Sequence, residues 1–152
     1  MNDRLIQIKK KNMFLREQEE NNDDKVNDTK NNSNFQEMVS ILLHSQTQVH
    51  IFHLQTKSYS EHKALQKYYE EIDGLVDGVI ESYQGKYGVL NSYKSIKTEE
   101  YKNNDQIIKY FKSLDIIIEK NRKEIKESYI QNQIDTIQEL LYSTLYKLKF
   151  LK

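Results

Sequence analysis

The chain has 152 residues, the span of a single domain, and carries 23 basic and 23 acidic side chains for a formal net charge of zero. That balance gives no global attraction to nucleic acid or to an anionic membrane. Cysteine is absent, which excludes disulfides and thiolate metal sites, and no apolar run reaches the roughly 20 residues of a membrane span. Proline is also absent and glycine occurs four times. A sandwich or barrel needs more turn residues than that, so an all-α chain is expected. No apolar signal-peptide core opens the sequence. Together with the missing cysteine, this fits a reducing compartment such as the bacterial cytoplasm.

Residues 1–33 read as a flexible or docking N-terminal arm. Residues 1–16 hold Arg4, Lys9, Lys10, Lys11 and Arg16 against Asp3, and the charge then reverses through Glu17, Glu19, Glu20, Asp23, Asp24 and Asp28. Between 17 and 34 the only large apolar residue is Val26, so this stretch cannot bury enough surface to fold alone. Leu5, Ile8 and Leu15 could line one side of a short helix that orders on a partner.

Residues 34–152 read as a four-helix bundle. The first helix is expected after Asn34, with Glu37 completing a capping box. Phe35, Met38, Val39, Leu42, Val49 and Phe52 recur at helical spacing, and the helix is expected to end near Lys57. Ser58 and Glu61 form the next capping box, followed by Leu65, Tyr69, Ile72, Val76, Val79 and Tyr83; Gly85 and Gly88 stop this second helix. Residues 85–104 form a connection with room for one short helix at Thr98–Tyr101. The third helix starts near Asp105, with Ile107, Phe111, Leu114, Ile118 and Ile125 as its stripe. Ser128 with Gln131 marks a fourth, lined by Ile130, Ile134, Ile137, Leu141, Leu145 and Leu148. With no Gly or Pro between them, the third and fourth helices could also run on as one.

The short links make helices one and two, and three and four, antiparallel hairpins. The connection between the second and third is long enough to cross the bundle. Helices of about 22 residues are roughly 33 Å long, a distance that some 20 extended residues can cover. A simple up-down bundle with a bulky central loop is the alternative.

Chemistry concentrates between His53 and Glu81. His53 is one turn from Val49, so it faces the bundle, and His62 lies in the first turn of the second helix. Asp73, Asp77 and Glu81 follow at i, i+4 and i+8. Stacked carboxylates cost free energy unless a cation or proton neutralises them. Imidazole with carboxylate suits iron(II), manganese or zinc, and ligands on facing helices are how bundles build metal sites. His44 and His50 fall on other faces of the first helix and read as surface or interface residues. Gly74 and Gly78 form GxxxG, a spacing that permits close helix approach.

In His53 near the end of the first helix, His62 near the start of the second, and Asp77 and Glu81 at the spacing that follows His62, the sequence resembles the ferritin-like superfamily, and within it the Dps-like mini-ferritins that protect DNA in starved bacteria. Through HLQTKSYSEHKAL (53–65) and ESYQGKYG (81–88) it also looks like ferritin-like proteins encoded by tailed bacteriophages. The resemblance covers residues 36–83 at motif level and the remainder as helix order. It implies a ferritin-like bundle with one long crossover, assembled as a homo-oligomer. His53 and His62 of one subunit would face Asp77 and Glu81 of a two-fold partner, and iron would be bound and oxidised between them. The chain departs from the mini-ferritin pattern in having Leu54 where a Trp follows the first His, Gln66 where a carboxylate follows the second, and a shorter gap between the two. The last two helices carry neither His nor ExxH, so the single-subunit di-iron site is not available.

The first functional expectation is therefore iron binding at an inter-subunit site with weak ferroxidase activity, and no other cofactor. The alternative is a non-enzymatic structural or assembly protein of a bacteriophage virion that retains the bundle and contacts other virion or assembly proteins through its arm. DNA binding through Lys9–Lys11 is disfavoured by the acidic run behind it and by the zero net charge.

Overall fold

The computed structural model describes residues 32–151. Among them the chain is all-helical, with four helices and no strand. The described part of α1 covers 32–55; α2 is Tyr59–Tyr87, α3 Asn104–Glu124 and α4 Ser128–Phe150. Residues Asn34–Lys152 form one compact unit. The expectation of a flexible arm at 1–33 lies outside the described residues.

Contacts at opposite helix ends fix the directions. Phe35 stacks on Tyr83 and His53 on His62, so α1 and α2 are antiparallel. Asn34 bonds Glu124 while Phe52 meets Tyr110 edge-on, so α1 and α3 are also antiparallel. Gln133 donates to the Gly78 carbonyl and Lys86 pairs with Glu127, which sets α4 antiparallel to α2. Arg122 with Asp135 and Tyr142 with Asp115 do the same for α3 and α4. Hence α2 and α3 run the same way, and residues 88–103 must return along the bundle between them. One long crossover is present, as the connection length implied, and the simple up-down alternative is excluded.

That crossover contains no helix; the short helix expected at Thr98–Tyr101 does not form. Its backbone is bonded instead by side chains of α1. Ser40 Oγ accepts from Lys94 N–H (3.0 Å), and Gln55 Oε1 accepts from Tyr101 N–H (2.7 Å). Gln48 does both jobs at Glu99, accepting from its N–H at 2.7 Å and donating to its carbonyl at 2.8 Å. This explains why Ser40 and Gln48 are buried amid an apolar stripe: they satisfy a strap that has no internal backbone–backbone hydrogen bonds.

The helix ends follow local chemistry, with three departures. Ser58 caps α2 as expected, accepting from Glu61 N–H, and Gly88 ends it at φ +92°, where a side chain would be strained. Asn103 caps α3, accepting from Gln106 N–H at 2.9 Å. The box expected at Asn34 and Glu37 is absent because both lie within helix: Asn34 bonds Glu124 and Glu37 pairs with Lys94. The box at Ser128 and Gln131 is absent as well. Glu127 is the N-cap residue, without a side-chain capping bond, and Gln131 turns back to the Ile125 carbonyl at 2.7 Å. A continuous third and fourth helix is likewise excluded. Ile125 adopts an extended conformation and is buried, so core packing breaks the helix where no glycine or proline does.

The apolar stripes converge on one core. Tyr68 brings a hydroxyl into it. Ser45 gives its own proton to the Leu42 carbonyl, so Tyr68 must donate to Ser45 Oγ at 2.9 Å, and burial pushes the phenol pKa up.

Candidate metal centre

His53 and His62 meet where α1 ends and α2 begins, across the link 56–58. Their rings stack at 3.6 Å with 24° between planes. Each Nδ1 lies against the other residue's carbonyl, at 2.9 Å for His53 and 3.0 Å for His62. A carbonyl can only accept, so both Nδ1 atoms carry the proton, and in the neutral rings both Nε2 atoms keep a lone pair. This is the tautomer that ligating histidines adopt when a carbonyl orients them. The bond from His62 also satisfies the His53 carbonyl, one of the last in α1, which has no backbone donor among the described residues.

His53 is 6% exposed. Burial lowers its pKa, opposed by its bond to the His62 carbonyl and assisted by the neighbouring His62 and His50. His50, which sequence alone put at a surface or interface, is half-buried with its ring stacked on Tyr69 at 4.2 Å. Tyr69 also meets His53 edge-on at 5.0 Å. His44 is half-buried elsewhere on α1, and burial lowers its pKa too.

Asp73, Asp77 and Glu81 lie exposed on the outer face of α2. Asp77 is fifteen residues beyond His62 on the same helix, roughly 22 Å away. One chain therefore pairs the two histidines but does not bring the carboxylates to them. Among the described residues no group of three or more His, Asp or Glu could hold a metal. Gln66 is engaged along α2, accepting from Lys63 Nζ (3.0 Å) and donating to Glu70 Oε1 (2.8 Å).

Glu61 is the residue that pattern reading undervalued. It is buried, and its carboxylate accepts from the Thr56 hydroxyl, the Tyr101 hydroxyl (3.0 Å) and Asn104 Nδ2 (2.8 Å). One side chain thus ties together the α1–α2 link, the end of the crossover and the first turn of α3. Its place in the capping box signalled a local role; its partners Tyr101 and Asn104, 40 and 43 residues away, left no local signal.

Fold and site together define an all-helical, single-crossover bundle with a pre-oriented histidine pair at one end. Residues 53–148, a span that holds the histidine pair and the α2 carboxylates, match the model of a family of unknown function, DUF5856, and the chain belongs to that family. It is 32% identical over 114 residues to the "uncharacterized 14.6 kDa protein in mobD-ri intergenic region" of Enterobacteria phage T4, a match covering 74% of this chain and 85% of that protein. No solved structure matches it. Among the described residues no helix is long and apolar enough to cross a membrane.

Proposed function

We propose that the chain binds a divalent transition metal, iron(II) foremost, at a ferritin-like site shared between two copies, with His53 and His62 from one and Asp77 and Glu81 from the other. The observation that carries this reading is the reciprocal bonding of the two rings, which holds both Nε2 lone pairs free for a ligand. Two imidazoles are too few for a stable site, and the exposed carboxylates of α2 are the oxygen donors that a second copy can supply. With Gln66 neutral and turned along its own helix, the reading is binding rather than efficient iron oxidation.

Elemental analysis after anaerobic iron(II) loading tests it, beside the Asp77→Ala, Glu81→Ala double variant. Stoichiometric iron in the native chain and its loss in the variant support the site; no iron in either removes it.

A second reading, a non-enzymatic bacteriophage assembly protein, is favoured by the kinship to a phage T4 protein and by the exposed aromatic row Tyr142, Tyr146 and Phe150 on α4, a surface suited to packing. On this reading the arm of residues 1–33 docks onto neighbouring virion or assembly proteins. Incorporation that survives deletion of 1–33 would rule out arm docking.

A further inference from the structure

Two flanking pairs on the outer face of α2 are opposite in charge. Lys63 and Lys67 lie on its N-terminal half and Asp77 and Glu81 on its C-terminal half, all four exposed, with the exposed acids Glu70, Glu71 and Asp73 between them. Lys67, Gly74 and Glu81 are spaced seven residues apart. They therefore share one face, with the two charges each roughly 10.5 Å along the axis from the glycine. Within the chain these charges are poorly used. Lys67 reaches only Glu71, at 3.7 Å with both side chains about half exposed. Asp77 and Glu81 have no ion-pair partner among the described residues, although like charges four apart on a helix repel.

Gly74 sits on the lip of a groove of about 480 Å³ between α2 and α4, with Leu75 and Leu140 among its lining residues. A Cβ added at Gly74 would meet nothing within 4 Å. The monomer fold therefore does not need glycine here, and its effect is a flat place on the outer surface.

We infer that this face binds a second copy of the chain, α2 packing antiparallel on its counterpart across a two-fold axis within one turn of Gly74. Antiparallel pairing brings Lys63 and Lys67 of each copy against Asp77 and Glu81 of the other, whereas parallel pairing sets like charge on like. Such an interface is isologous, so every favourable pair occurs twice. The missing side chain at Gly74 lets the helices approach at the crossing point. The dimer needs no metal, and the metal-site proposal needs a second copy, so the two are separable.

The test is the mass of the full chain by light scattering and sedimentation, with chelator present and iron absent. The native chain is expected at twice its 18.2 kDa, or in a larger assembly built from that dimer, with dissociation promoted by salt. Gly74→Leu is expected to be folded by circular dichroism and to lose this association. Lys67→Glu is expected to weaken association by roughly tenfold or more, because each substitution sets like charges together twice per dimer. Adding Glu81→Lys to it is expected to restore association. A native chain that is monomeric without metal overturns the inference, even if it dimerises on iron. Association unchanged in folded Gly74→Leu overturns it as well. A metal-free dimer broken by Gly74→Leu but unable to bind iron upholds it and removes the metal site alone.

Discussion

The reciprocal histidine pair is unequal in what its two hydrogen bonds do, and paired substitutions expose this. His62→Phe keeps a ring in the stack but removes the donor to the His53 carbonyl. That carbonyl belongs to the last turn of α1, has no other donor among the described residues, and sits on a residue that is 6% exposed. Losing a bond and leaving a buried acceptor unpaired costs about 1–3 kcal/mol. His53→Phe removes the donor to the His62 carbonyl, but His62 lies inside α2, where the helix ladder also supplies that carbonyl with a donor. Only the extra bond is lost, and an apolar ring suits the buried position, so the expected cost stays below about 1 kcal/mol. Urea unfolding followed by circular dichroism at pH 8 measures the two values. If His53→Phe costs as much as His62→Phe, the helix-end assignment of the second bond is wrong.

Stability should fall as pH drops from about 7.5 to 5.5. Burial lowers the pKa values of His44 and His53 below the ordinary 6.5, so the unfolded chain binds more protons in this window and acid favours it. The carboxylates whose pKa values are lowered by lysine or arginine partners act only at more acidic pH. A urea midpoint flat across the window would contradict the burial argument. Gln48→Leu should release the Glu99 amide to exchange while core amides of α2 and α4 stay protected, at a global cost of about 1–3 kcal/mol for two lost bonds. Unchanged Glu99 protection would mean that the crossover is held by something else. The Asp77→Ala, Glu81→Ala variant, besides losing iron, should as a metal-free monomer be as stable as the native monomer or slightly more so, by about 0.2–0.5 kcal/mol from relieved repulsion. A marked loss of stability at concentrations too low for association would place those carboxylates in an intrachain role.

The apolar periodicity that marked the four helices is local, repeating every three or four residues, and burial of Phe52, Ile72, Phe111 and Ile134 follows it directly. The caps at Ser58 and Gly88 were legible for the same reason, since a cap is decided by residues within one turn of it. The expected boxes at Asn34 and Ser128 failed because other partners claimed the side chains: Glu124, 90 residues away, takes the Asn34 amide, and Gln131 turns back to the end of α3. The break between α3 and α4 was ambiguous in sequence because it comes from burying Ile125, a tertiary demand that leaves no glycine or proline behind.

The sequence by itself determined an all-helical chain with a long central connection, two histidines near one helix junction and a carboxylate row on α2, because each of these is written in spacing over a few turns. Only the tertiary structure decided that the connection crosses the bundle as a strap bonded by α1 side chains, that the two imidazoles stack with their Nδ1 protons committed to each other's carbonyls, and that Glu61 joins three segments. Those outcomes depend on which helix faces meet. Contacts between residues 9 to 54 positions apart are set by packing the whole bundle rather than by the preferences of any short stretch.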